Sequence, residues 1–153
     1  MESEQIRFEL IKAVDAPNGW QSVRHLMLKL KKEDSDTVLN GLLEIFFLDN
    51  FYDYQAAAGG LLWKLKPQYK RNLGEDIKRT LQNWDVSIEE LSWYFAEVVG
   101  IERVRSEIES LLTEPLNEEA KQRAKTYLYW LSVENPEEFR NELNQGWNGR
   151  LRR

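Results

Sequence analysis

The chain has 153 residues, of which 42% are hydrophobic and 31% charged, and its formal net charge is −5. This length and apolar content suit one domain with a buried core and exclude a compositionally disordered chain. The acidic balance argues against a general nucleic-acid binder, and the absence of cysteine excludes disulfides, thiol catalysis and thiolate metal sites.

Apolar residues recur at helical spacing along the whole chain, and glycine, proline and capping residues separate the apolar segments. The first helix is expected over residues 4–15, because Ile6, Leu10 and Ala13 share one face. Pro17 and Gly19 then mark a turn. Eight further helices are expected over residues 20–32, 37–48, 51–66, 68–83, 87–99, 101–113, 118–133 and 136–148.

Several of these boundaries carry recognisable capping signals. Ser87 and Glu90 have the spacing of a capping box, in which each side chain satisfies a backbone N–H of the first turn. Gly100 can end that helix in a left-handed conformation, so that the next helix follows at once. Asn117 and Asn135 stand where N-caps are expected for the last two helices.

The apolar positions themselves repeat along the chain. After the first helix, alternate helices carry triplets with i, i+4, i+7 spacing: Val23-Met27-Leu30, Ala58-Leu62-Leu65, Leu91-Phe95-Val98 and Ala124-Leu128-Leu131. The intervening helices carry i, i+4, i+8 triplets: Val38-Leu42-Phe46, Leu73-Ile77-Leu81, Val104-Ile108-Leu112 and Phe139-Leu143-Trp147. Corresponding triplets recur about every 34 residues, which predicts an all-α, right-handed α-solenoid of two-helix units.

This period and apolar pattern resemble the short HEAT-like repeats of bacterial proteins over about residues 20–147. The resemblance implies four antiparallel helix pairs within one domain, with the helix at residues 4–15 as an N-terminal cap. The pairs are expected over residues 20–48, 51–83, 87–113 and 118–148. The tetratricopeptide repeat has the same length, but its Trp, Gly, Tyr and Pro positions are not found. An irregular helical bundle is the alternative architecture.

The sequence carries no recognisable catalytic motif. The single histidine, His25, is expected to face solvent, which argues against Ser–His or Cys–His catalysis and against a transition-metal site. Carboxylate pairs such as Asp49 and Asp53 are frequent, but most lie in first helical turns, where the helix dipole favours acids. We therefore expect no catalytic residue, metal or cofactor.

Charge is distributed in bands. Residues 33–63 contain six acids and no base, residues 64–79 six bases and two acids, and residues 80–102 five acids and no base. On a solenoid these bands become stripes, which either balance each other between repeats or attract a basic partner. Aromatic residues that miss the triplets are expected to be exposed beside the acids as interface anchors: Tyr52, Tyr54, Trp84 and Tyr94. The predicted partner-binding residues are Glu44, Asp49, Tyr52, Asp53, Tyr54, Trp84, Asp85, Glu89, Glu90, Tyr94 and Glu97.

These features together predict a protein-binding domain. The HEAT-like resemblance favours an immunity protein that neutralises a basic bacterial toxin, for instance a nuclease. We expect a cytoplasmic protein, because the N-terminus is unlike a signal peptide and no apolar run approaches a membrane span. A monomer or a homodimer is expected. A scaffold resembling the HEAT-like subunits of bilin lyases is the first alternative. The second is a DNA-binding enzyme resembling the HEAT-like DNA glycosylases, using the basic band of Lys64, Lys66, Lys70, Arg71, Lys78 and Arg79.

Overall fold

The computed structural model describes the backbone of residues 1–151 and the side chains of residues 1–147. Within that range it contains nine α-helices and no strand, which confirms the predicted all-α class and helix number. The helices are α1 Ser3–Asp15, α2 Gly19–Leu30, α3 Ser35–Leu48, α4 Tyr52–Leu65, α5 Leu73–Thr80, α6 Glu89–Val99, α7 Ile101–Leu111, α8 Glu118–Trp130 and α9 Pro136–Leu151. None of these helices is long and apolar enough to cross a membrane.

Most helix boundaries lie where the capping residues predicted them. The Asn117 side chain accepts a hydrogen bond of 2.8 Å from the backbone N–H of Ala120 at the start of α8. Asn135 accepts one of 3.1 Å from the N–H of Glu138 at the start of α9. Gly100 lies between α6 and α7 with a φ of 97°, a conformation that favours glycine.

The predicted capping box at the start of α6 is wrong. Asp85 Oδ1 accepts hydrogen bonds from the backbone N–H and the hydroxyl of Ser87, at 3.0 and 2.6 Å. The Ser87 side chain is thereby held in the preceding turn, and the helix begins only at Glu89. Because its hydroxyl donates to Asp85, the Ser87 side chain does not cap the N-terminus of α6.

The predicted helix over residues 68–83 is much shorter in the structure. Lys66 ends α4 with a left-handed φ of 45°, and Pro67 follows it. The chain stays irregular until Asn72, whose side chain accepts a hydrogen bond from the N–H of Glu75 and caps α5. Asn72 provides a good N-cap further along the chain, and the first turn of the expected helix does not form.

One continuous apolar core runs through the helices, and the predicted triplets supply much of it. No triplet residue is exposed. Those that are partly rather than fully buried are Leu65, Val98, Leu112, Leu128 and Phe139, and each packs against the core. The helical spacing therefore identified the inward faces correctly.

The helices pack in a regular order through most of the chain. Helix α4 contacts α6, and α6 contacts α8; on the other side α3 contacts α5, and α5 contacts α7. Helix α1 packs against α2, α3 and α4, and it comes close to α3 at Gly41, where an added Cβ would lie 2.7 Å from the Cβ of Ile6. Helix α9 contacts α2, near the beginning of the chain.

Candidate protein-interaction surfaces

The two acidic segments singled out by the sequence meet at one buried side chain, Gln55. Its Nε2 donates to the backbone oxygens of Asp49 and Asn83, each at 2.8 Å, and its Oε1 accepts from the N–H of Asp85 at 2.8 Å. The side chain is fully buried, and both ends of its amide are bonded. Gln55 thus fixes the α3–α4 connection beside the α5–α6 connection, although about 30 residues separate them in the chain.

Exposed apolar side chains concentrate beside this junction. Phe8 on α1 is 54% exposed. At the end of α3, in the short connection and at the start of α4, Leu48 is 59%, Phe51 50% and Tyr52 44% exposed. We call these four residues the apolar edge. Scattered exposed apolar residues are ordinary, but three within five consecutive positions are a local concentration that suits a partner surface.

Two polar links hold α1 against the connection that carries the apolar edge. Arg7 donates two hydrogen bonds to the carboxylate of Asp49, both of 2.9 Å. The hydroxyl of Tyr54 lies 2.9 and 3.0 Å from the two carboxylate oxygens of Asp15. Hydrogen bonding to Asp49 raises the pKa of Arg7, and the hydrogen bond to Asp15 raises the pKa of Tyr54. The edge therefore lies on a fixed backbone.

The acids near the apolar edge differ in their exposure and in their ion pairs. Asp53 is exposed in the first turn of α4 and makes no hydrogen bond or ion pair with any described residue, whereas Asp49 is neutralised by Arg7. Glu44 is partly buried on α3, and its charge adds to the raised pKa of Arg7. Asp53 also lines a cleft of about 180 Å³ together with Val14, Ala16, Gly19, Trp20 and Val23.

Two of the aromatic residues expected to be exposed are buried. Trp84 is fully buried in the α5–α6 connection; its Nε1 donates to the backbone oxygen of Ile88 at 3.0 Å, and its ring lies 4.2 Å from that of Tyr127. Tyr94 is also fully buried and donates to the oxygen of Pro67 at 2.6 Å. Each ring has a backbone acceptor for its polar atom, so both are core residues that fill space between helices.

The second acidic segment is largely engaged within the chain. Glu97 on α6 forms an ion pair with Arg140 on α9, and Asp85 binds Ser87 as described above. Glu90, a predicted partner-binding residue, is only 8% exposed, and Glu89 is partly buried. These acids do not form a freely exposed patch. The exposure predicted for His25 is confirmed.

Three side chains of the basic band at residues 64–79 also interact with other residues of the chain. Arg71 donates to both oxygens of the buried Asp76, at 2.7 and 2.9 Å, and Lys78 pairs with Glu114 at 2.9 Å. The Arg79 guanidinium stacks over a phenylalanine ring. Charge balance with Asp76 and Glu114 accounts for Arg71 and Lys78. Among the described residues no group of three or more His, Asp or Glu could hold a metal ion.

A second surface was not anticipated from the sequence. Four tryptophans lie one on each of α2, α4, α6 and α8, and all four contact α9: Trp20, Trp63, Trp93 and Trp130. We call them the tryptophan face. Each predicted helix pair does carry one tryptophan on its first helix. The sequence offsets between these tryptophans are too irregular to distinguish them from the apolar triplets.

Comparison with known proteins gave no further guide. No family model matches this chain, and no curated protein and no solved structure is similar to it.

Proposed function

We propose that this chain is a protein-binding domain with the architecture of a HEAT-like, right-handed α-solenoid, and that it acts as an immunity protein for a basic bacterial toxin. The observation that carries the binding role is the apolar edge, where aromatic side chains stand exposed on a fixed backbone beside an unpaired acid. Aromatic anchors with a nearby charge are the usual composition of protein interfaces.

Contacts between alternate helices support the solenoid, although within the four predicted pairs only α6 and α7 are among the close helix contacts of the described residues. In a stack of helix pairs, corresponding helices of successive pairs are neighbours and run parallel. Helices α4 and α6 meet this expectation. A Cβ added to Gly59, midway along α4, would lie 2.8 Å from the side chain of Ile88, just before α6. Further along both helices, Tyr94 donates to the oxygen of Pro67, just after α4. Both helices therefore point the same way.

A basic protein is the partner that the charges favour. The chain carries a net charge of −5, and the free carboxylate of Asp53 adjoins Tyr52 at the apolar edge. Complementary charge of this kind speeds association and suppresses wrong partners more than it adds affinity. A nuclease toxin has a basic substrate-binding face, and an acidic domain seated there would block access to nucleic acid.

The proposed function is tested by co-expressing the chain with the products of its neighbouring genes and isolating stable complexes. We expect one neighbour to be a toxin whose activity falls on addition of stoichiometric chain, with binding that weakens as salt rises. Failure of every neighbouring product to bind would contradict the immunity role. A stable complex with a partner that lacks toxin activity would instead support a scaffold.

A further inference from the structure

Helix α9 lies across the tryptophan face and contacts it through side chains along its length. Its first turns meet α6 and α8, where the Phe139 ring lies 5.2 Å from that of Trp93 and 6.4 Å from that of Trp130. Further on, Asn144 accepts a hydrogen bond of 2.9 Å from Nε1 of Trp63 on α4. Its Trp147 then packs edge-on against Trp20 of α2, with ring centroids 6.0 Å apart.

The face contains a socket shaped for an indole ring. Gly60 on α4 is buried, and a Cβ built on it would overlap the six-membered ring of Trp147. Because even a methyl group is excluded there, the ring lies directly on the backbone of α4. Trp147 is correspondingly only 2% exposed. A buried glycine in a helix costs about 0.5–1 kcal/mol relative to alanine, so this socket is maintained at the expense of helix stability.

The socket is not optimally satisfied by α9. Nε1 of Trp147 is buried and has no hydrogen-bond partner among the described residues, which is unusual for a buried indole N–H. Helix α9 also contains Gly146 and several asparagines, residues with low helix propensity. Leu143 is buried, whereas Asn141, Glu142, Gln145 and Gly146 are exposed. An occupant that buries no unpaired N–H on this face, or that forms a stronger helix, would bind it more tightly than α9 does.

The tryptophan face also selects for charge. Glu97 forms its ion pair with Arg140 of α9, and the Arg140 guanidinium lies 5.6 Å from the ring centre of Trp93. A cation at this point is thus favoured by both a carboxylate and an aromatic face. An acidic residue placed there would be repelled by Glu97.

We infer that the tryptophan face is a helix-binding site that α9 covers in the free chain and that a helix of the protein partner occupies in the complex. The partner helix carries the chemistry that α9 imitates: an aromatic residue, a basic residue directly after it, and a second aromatic residue eight positions after the first. This inference rests on the proposed protein-binding function and assigns that function a second surface besides the apolar edge.

The test uses the full chain and a labelled synthetic peptide of residues 136–151 as the probe. Trp147→Ala weakens the cis occupant, so the variant is expected to bind the peptide at least roughly tenfold more tightly than the wild-type chain does. Adding Glu97→Arg should reduce that binding by roughly tenfold or more, because the basic residue of the peptide loses its partner. A peptide carrying Arg140→Glu should fail to bind the Trp147→Ala chain.

Circular dichroism and the cooperativity of unfolding test whether the Trp147→Ala variant retains the rest of the fold. If the variant is unfolded, Asn144→Ala, a change at an exposed position, is used in its place. The inference is overturned if a folded variant binds the peptide no better than the wild-type chain. It is also overturned if light scattering shows that Trp147→Ala or the wild-type chain pairs by exchanging α9, since the occupant would then be a second copy. Because the probe comes from the chain itself, the result is readable even if no toxin partner is found.

Discussion

The backbone N–H of Asp85 donates a hydrogen bond of 2.8 Å to the side-chain oxygen of Gln55. Through this contact a single buried amide holds the start of α6 against the start of α4. The same amide also donates to the backbone oxygens of Asp49 and Asn83. This side chain, together with the Arg7–Asp49 and Tyr54–Asp15 links, fixes the position of the apolar edge relative to the rest of the fold.

Replacing Gln55 by alanine is expected to lower the free energy of unfolding by about 2–4 kcal/mol, because three buried backbone groups lose their partner. Urea denaturation followed by circular dichroism measures the change. Gln82→Ala is the matched control; this glutamine is exposed, and its loss should change stability by less than about 0.5 kcal/mol. Equal stability of the two variants would show that water replaces the buried amide without cost.

The fit of Trp147 against Gly60 predicts opposite effects for two glycine-to-alanine changes. Gly60→Ala should destabilise the chain by about 1–3 kcal/mol, because the new methyl group overlaps the indole ring. Gly146→Ala should stabilise it by about 0.5–1 kcal/mol, because Gly146 is helical and has nothing within 4 Å of an added Cβ. Thermal unfolding of both variants gives the sign directly. Two changes of the same sign would argue against the docking of α9 described above.

Asp49 and Asp53 are four residues apart, yet their removal should have different consequences. Asp49→Asn weakens two hydrogen bonds from a largely buried guanidinium and should lower the free energy of unfolding by about 1–3 kcal/mol. Asp53→Asn should leave it within about 0.5 kcal/mol of the wild type. Urea unfolding at low and high salt distinguishes the two. A large loss for Asp53→Asn would mean that its exposed carboxylate supports the fold.

Stability at alkaline pH should reflect the buried tyrosines. Burial raises the pKa of Tyr69, Tyr94 and Tyr127 above the ordinary value of 10.0. A raised folded-state pKa means that the unfolded chain loses these protons first. Their contribution is therefore fully present below about pH 10 and is lost as the pH rises toward the folded-state pKa values. We expect the free energy of unfolding to fall steadily above pH 10.

Tyr94→Phe provides the check on that assignment. It removes the hydrogen bond to Pro67 and should cost about 1 kcal/mol at neutral pH. Above pH 10 its stability should fall less steeply than that of the wild type, because one ionisable buried group is gone. Parallel slopes for the two proteins would show that Tyr94 does not contribute to the alkaline loss.

The repeating triplets predicted the helix number and the inward faces because the side chains on the buried face of a helix recur at helical spacing. The same reasoning failed for Trp84 and Tyr94, which miss the triplets and were expected at the surface. Trp84 lies in a connection, where helical spacing has no meaning, and Tyr94 fills the gap between α6 and the end of α4. In a helix buried on several sides, position on the wheel does not determine exposure.

The pairing of charges was also beyond the reach of the sequence. Acidic and basic bands were visible, but not which of their members meet across the fold. Glu97 pairs with Arg140 and Asp49 with Arg7, and each partner is more than 40 residues away in the chain. Asp53 pairs with none of the described residues. The tryptophan face was missed for a related reason: its four members lie on four different helices and share only their contacts with α9.

The central claim is that the apolar edge binds a protein partner. The most direct test compares two double variants in a binding titration. The titrant is the partner isolated from the neighbouring gene products. Phe51→Ser with Tyr52→Ser removes two exposed rings of the edge, and Leu28→Ser with Tyr129→Ser removes two apolar residues elsewhere that are 49% and 70% exposed. The account predicts that both variants keep wild-type unfolding and that only the first loses affinity, by roughly a hundredfold or more. Equal affinity of the two variants for the partner would contradict it.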